Sequence, residues 1–232
     1  MDPVKKKNER IVIVKDGPYQ VSGNVPLAKE TAIRDKKNIP AHWKLGERYP
    51  DQESYSLCRC GASKNKPYCD GAHADIGFDG TETASKRPYS EVAERYEGAE
   101  LDLLDQRELC AGAQFCHRAG GVWDLVEGAT DAEDKQLAIE IAGQCPTGRL
   151  VVCEKGTGKP LEPPFNKTIT VLEDPGRHCS GPLWVKGGIP IQSSDGTEYE
   201  VRNRVTLCRC GRSDNKPLCD GTHIDIGFKD SD

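Results

Sequence analysis

Cys58-Arg59-Cys60-Gly61-Ala62-Ser63-Lys64-Asn65-Lys66-Pro67-Tyr68-Cys69-Asp70-Gly71-Ala72-His73 gathers three cysteines and one histidine into sixteen residues. Such a set supplies four soft-to-borderline donors for a metal centre. The same stretch returns as Cys208-Arg209-Cys210-Gly211-Arg212-Ser213-Asp214-Asn215-Lys216-Pro217-Leu218-Cys219-Asp220-Gly221-Thr222-His223. Aligning Tyr55–Phe78 with Val205–Phe228 leaves 17 of 24 positions identical, which marks an internal repeat.

By residue type alone, a set of three Cys and one His suits zinc as well as an iron–sulfur cluster. Zinc knuckles open with C-x2-4-C, whereas each stretch here opens with C-x-C, a spacing better suited to two sulfurs on one iron of a cluster. Pro67 and Pro217 stiffen the approach to the third Cys, and Gly61 and Gly211 permit tight backbone beside the sulfurs. Asp70 and Asp220 read as N-caps of helices carrying His73 and His223. Ser63 and Ser213 are expected to donate hydrogen bonds to cluster sulfur, and Arg59 and Arg209 to set positive charge beside an anionic centre.

The pattern C-x-C-x2-S-x3-P-x-C-D-G-[A/T]-H resembles the signature of the CDGSH iron–sulfur domain, the family of the NEET proteins. The resemblance implies one [2Fe–2S] cluster on Cys58, Cys60, Cys69 and His73, and another on Cys208, Cys210, Cys219 and His223. It departs only before the His, where Ala72 or Thr222 replaces Ser. NEET proteins are typically symmetric dimers that share a small β-cap, so the resemblance implies that dimer fused into one chain: a monomer with an internal pseudo-two-fold axis. A neutral imidazole in place of a thiolate raises the reduction potential above the roughly −400 mV of plant-type ferredoxins. It also makes the cluster acid-labile, because a protonated imidazole cannot bind iron.

Between the repeats the pattern changes. Gly98-Ala99-Glu100-Leu101-Asp102-Leu103-Leu104 reads as a strand, and Thr130-Asp131-Ala132-Glu133 as a capping box opening a helix. Leu137, Ala138, Ile141 and Ala142 fall on one face of that helix, and Leu150-Val151-Val152-Cys153 closes the segment as a strand. This β-α-α-β order, with R-x2-C-x5-C from Arg107 to Cys116 and C-P-T-G from Cys145 to Gly148, resembles the divergent mono-cluster ferredoxin domain. Ala113 stands where a further Cys is expected. The resemblance therefore implies either a third cluster on Cys110, Cys116 and Cys145, fitting [3Fe–4S] better than [4Fe–4S], or an empty ferredoxin-like domain. Cys153 reads as core, Cys179 as a buried thiol matching Val21 of the first copy, His117 as an exposed turn residue, and His42 and His178 as pre-motif residues outside the ligand sets.

The expected fold is α+β and low in regular secondary structure, with tandem CDGSH modules over 1–82 and 159–232 and the ferredoxin-like domain over 83–158. Short strands are expected at Ile11–Val14, Tyr19–Leu27, Thr168–Leu172, Ser180–Val185 and Tyr199–Val205, with a polar loop around His42 and Trp43. The acidic stretch Glu91–Glu108 reads as a solvated face, and Gly156-Thr157-Gly158-Lys159 as a linker lacking phosphate-loop spacing.

Composition sets the outer bounds. Hydrophobic content is 36% with four Phe and one Met, so cores are thin and metal contributes to folding. Eleven Cys, an odd number with no secretory signal ahead of them, point to a reducing, cytoplasmic setting rather than a disulfide scaffold. Net charge is −5, which argues against nucleic acid, and Lys5-Lys6-Lys7 is too short a basic run to read as a transit peptide. No apolar run approaches membrane length. With no nucleotide loop or Ser-His-Asp set, the expectation is a non-enzymatic protein of one-electron transfer or redox sensing. The alternative is a donor of labile [2Fe–2S] units, and the partner is an unidentified redox or cluster-acceptor protein.

Overall fold

The computed structural model describes residues 9–230, so the basic run Lys5-Lys6-Lys7 lies outside the described residues. The strands are β1 (Arg10–Ile13), β2 (Tyr19–Ser22), β3 (Leu27–Arg34), β4 (Pro40–Arg48), β5 (Ser54–Leu57), β6 (Glu94–Glu97), β7 (Leu101–Asp105), β8 (Leu150–Glu154), β9 (Thr168–Asp174), β10 (Cys179–Lys186), β11 (Ile191–Gln192) and β12 (Arg204–Leu207). The helices are α1 (Ala72–Asp75), α2 (Tyr89–Val92), α3 (Val122–Gly128), α4 (Ala132–Gly143) and α5 (Thr222–Asp225). The fold is mixed α+β with few helices, as expected. No helix among the described residues is long and apolar enough to cross a membrane.

Two sheets carry the repeat. One runs β11-β1-β2-β5 and the other β12-β10-β9-β3-β4. Each takes one parallel strand from the opposite end of the chain: β11 lies beside β1, with Ile191 opposite Ile11, and β3 lies beside β9, with Leu27 opposite Ile169. The sheets enclose one core containing Ile11, Ile13, Val21, Ile169, Leu183 and Leu207, each nearly inaccessible to water. Ion pairing follows the same exchange, since Lys186 on β10 meets Glu30 on β3 at 2.7 Å with both side chains buried.

The register corrects one alignment. Tyr19 pairs with Leu57 and Leu183 with Leu207, so Val21 corresponds to Val185 and Cys179 to Lys15. Cys179 is buried, as expected of a packed thiol. The stretch around His42 and Trp43 is strand β4 rather than a loop, because it pairs along the sheet margin with β3. Its mostly exposed polar residues hid the period-two signal, as suits an edge strand. Likewise the strand expected at Tyr199–Val205 enters the sheet only at its end, since the observed strand is Arg204–Leu207.

The middle segment forms a third sheet, β6-β7-β8, against α3 and α4. Leu101, Leu103, Val126, Ile141, Leu150 and Val152 make its core. Asp131 caps α4 by accepting from the amides of Glu133 and Asp134, both at 2.9 Å. The acidic stretch is not wholly solvated: Asp102 and Asp105 are buried, and Asp105 forms a two-pronged pair with Arg149 at 2.5 and 2.7 Å.

Two contacts tie this segment to the sheets. Trp43 of β4 stacks on Phe115 and Trp184, and its Nε1 donates to the Gln144 carbonyl. Arg204 at the start of β12 is buried, donates to the carbonyls of Ala142, Cys145 and Leu150, and pairs with Glu162.

Candidate metal centres

Each repeat motif leaves its last strand and folds into a loop that turns four donors toward one another. In the first, the Cys58 and Cys60 sulfurs stand 3.8 Å apart, and Cys69 Sγ stands 3.4 Å from His73 Nδ1. In the second, the Cys208–Cys210 and Cys219–His223 distances are 3.6 and 3.3 Å. Two thiolates at about 2.3 Å from one tetrahedral metal lie about 3.8 Å apart, and a thiolate with an imidazole about 3.5 Å apart. Each motif thus presents two chelating pairs.

The thiol chemistry is primed. A hydrogen bond from the Cys60 thiol, together with the amides of Ser63 and Gly61, brings Cys58 down to about 6, and Cys60 is pushed up in return. Cys208 is likewise lowered to about 6 by Cys210. Burial drives Cys219 upward and His223 down to about 4, keeping that imidazole neutral and able to bind metal.

The loop scaffolding departs from expectation at the two serines and at the two aspartates. The Ser63 and Ser213 hydroxyls donate to the carbonyls of Tyr68 and Leu218 at 2.6 and 2.7 Å and accept from the amides of Asn65 and Asn215, so they brace the loop rather than face cluster sulfur. Arg59 is buried against Tyr19 and Phe78 and donates to Gly80, and Arg209 donates to Gly181 and Leu172 and pairs with Glu173 and Asp230. Both guanidiniums clamp backbone, and after burial the Arg209 charge is the next cause that lowers His223, so it stands beside the second motif as expected. Finally, Gly71 and Gly221 hold the cap positions in left-handed conformation. Asp70 and Asp220 sit one residue earlier and staple the loop, each accepting from two amides: Lys64 and Ala72, or Asp214 and Thr222.

The motifs meet back to back. A Cβ on Gly61 would strike the Cys210 carbonyl, and one on Gly211 the Cys60 carbonyl. Tyr19 of the first sheet reaches across to donate to the Cys208 carbonyl at 2.7 Å. Sequence reasoning missed that tie, although its signal was present as a difference between copies, with Tyr19 standing where the second copy has Leu183.

Cys110, Cys116 and Cys145 line one small pocket, together with Ala113, Thr147 and Arg149. Burial and the neighbouring Cys145 push the Cys116 thiol up to about 12. Cys153 is buried on β8 away from this pocket, and His117 is exposed, both as expected; His42 and His178 are exposed as well.

A family model described as "Iron-binding zinc finger CDGSH type" matches residues 16–74 and 180–224. A second, described as "Divergent 4Fe-4S mono-cluster", matches residues 96–155. No curated protein and no solved structure matches the chain. The matched segments contain every donor described above, and the chain is an iron–sulfur protein with two CDGSH-type iron-binding segments flanking a divergent 4Fe-4S mono-cluster segment.

Proposed function

We propose that each CDGSH segment holds a [2Fe–2S] cluster, on Cys58, Cys60, Cys69 and His73 and on Cys208, Cys210, Cys219 and His223, and that the protein carries single electrons between partner proteins. The observation that carries this reading is the pairing of donors. Cys with Cys and Cys with His, at chelating distances in both motifs, suit one iron per pair. When bound, such a cluster accepts and returns one electron without group transfer. The chain's residues hold the donors in a braced loop, keep His223 neutral, and bury the second set among apolar neighbours.

The two halves act as a fused dimer with a pseudo-two-fold axis, and the chain works as a monomer. The reciprocal exchange of β3 and β11 and the mutual approach of Gly61 to Cys210 and Gly211 to Cys60 support this. In the middle segment, three cysteines line a pocket whose wall has Ala113 in place of a further donor, which favours a [3Fe–4S] centre.

Iron and acid-labile sulfide per chain, with EPR of oxidised and reduced samples of anaerobically purified protein, test the proposal. About seven irons with a signal already present in the oxidised sample is the expected result. About four irons with a signal only after reduction would leave the middle segment empty, and zinc in place of iron would overturn the reading.

A further inference from the structure

We infer that the two motifs have different jobs: the first is the face that meets one-electron partner proteins, and the second is an interior centre capped by the Cys110–Ala113 loop of the middle segment. The inference rests on the reading that each motif holds a [2Fe–2S] centre.

The asymmetry follows the contacts of that loop. Gly71 has no atom near the place its Cβ would occupy, and the helix behind it is open to water at Ala74. A Cβ on its counterpart Gly221 would stand 3.6 Å from the backbone of Cys110 and Ala111. The δ-methyl of Ile224 lies against Gly112, 2.5 Å from where a Cβ on that glycine would stand. Arg177 fixes the loop from outside by donating to the Gly112 carbonyl at 2.8 Å, and Asn215 donates to the Glu108 carbonyl at 3.3 Å.

Burial tracks this cap. Cys210, Cys219 and His223 are buried at 7, 2 and 5% exposure, whereas Cys60, Cys69 and His73 are all half-buried. The repeat itself records the difference, because Ile224 stands where the first motif has Ala74, at the point of contact with the loop. A protein docking on the chain reaches the donors of the first motif and is held off those of the second by a layer of backbone.

The test uses two full-length variants, one keeping only the first motif (Cys219→Ser with His223→Ala) and one keeping only the second (Cys69→Ser with His73→Ala). Each is expected to lose about two irons relative to the parent chain, and loss of none would overturn the [2Fe–2S] reading itself. The reduced proteins are then mixed in stopped flow with ferricytochrome c, a one-electron acceptor that takes one electron per haem with no bond made or broken. Ferricyanide, a small acceptor, reports driving force with little steric demand. The first-motif chain is expected to react at least about fivefold faster than the second-motif chain with cytochrome c, beyond any ratio seen with ferricyanide. The same ratio for both acceptors would overturn the inference.

Hydrogen exchange on the loaded parent chain gives an independent readout. The amides of Gly221–Ile224 are expected to exchange about tenfold slower than those of Gly71–Ala74, and Ile224→Ala to speed exchange across residues 110–113. Equal exchange in the two helices, or no response to Ile224→Ala, would show that the loop is not a cap.

Discussion

Gly61 lies so close to Cys210 that a Cβ on it would stand 2.6 Å from the Cys210 carbonyl oxygen, and its φ of +80° already belongs to the left-handed region. The turn of one metal-binding loop is therefore closed on the ligand backbone of the other. Gly61→Ala is expected to cost about 2–4 kcal/mol, because left-handed strain and a backbone clash add. Gly71→Ala, at φ +93° with open space around it, carries the strain alone and costs about 1 kcal/mol. Denaturant melts of the loaded proteins check both, and equal losses would mean that the contact between motifs contributes nothing.

Arg204 joins the middle segment to the second sheet through three carbonyls and Glu162. Arg204→Met leaves a carboxylate and those carbonyls without their donor, and should destabilise the chain by about 3–5 kcal/mol. Arg204→Lys recovers only part of this, since an ammonium cannot span the same set of acceptors. Thermal unfolding of the two variants measures the difference, and a wild-type melting temperature for Arg204→Met would refute it.

Acid should act on the second motif late. Burial lowers His223 in the folded chain to about 4, below the ordinary value of 6.5 that an unfolded chain returns to. The unfolded chain therefore takes up a proton first, and stability falls as pH drops from about 6.5 towards about 4. The imidazole itself stays neutral until the lower end of that window. In a chain retaining only the second motif, visible absorption should hold from pH 7 to about 5 and collapse near 4. A midpoint near 6 would contradict the burial argument. His223→Cys should remove the collapse, because its thiolate does not depend on a neutral ring.

The middle segment makes a clean distinction among its cysteines. Cys110→Ala, Cys116→Ala and Cys145→Ala should each remove the oxidised-state EPR signal and about three irons, leaving the reduced-state signals of the two motifs. Cys153→Ala should retain full iron, because its sulfur is buried on β8 away from the pocket. Iron loss in Cys153→Ala comparable to that in Cys145→Ala would place the centre elsewhere.

The donors were legible in the sequence because metal ligands obey short-range spacing: C-x-C and C-x3-H place their pairs within a single loop and helix turn. The helix start at Thr130–Glu133 and the strand at Leu150–Val152 were readable for the same local reason, although the capping side chain is that of Asp131. What surrounds the donors was not. Ser63 bonds a carbonyl five residues on, and Arg59 reaches Gly80, so their roles depend on where the loop folds back rather than on their neighbours in sequence. Strand β4 escaped because an edge strand with polar faces lacks the alternation that betrays a half-buried one. The contact of Ile224 with Gly112 spans more than a hundred residues, and only the Ala74-to-Ile224 difference hinted at it.

The parallel pairing of Ile11 with Ile191 also sets an order of events in the cell. A ribosome delivers the chain from its N-terminal end, so β1 emerges early and waits with one edge unpaired until β11 has been made. The first metal-binding loop is complete long before that, and its donors are free to load iron while the sheet beneath them is still unfinished. Closing so distant a pair carries a large loop entropy, which makes this step slow and leaves the nascent edge open to wrong partners. Synthesis of the last third is thus what seals the first.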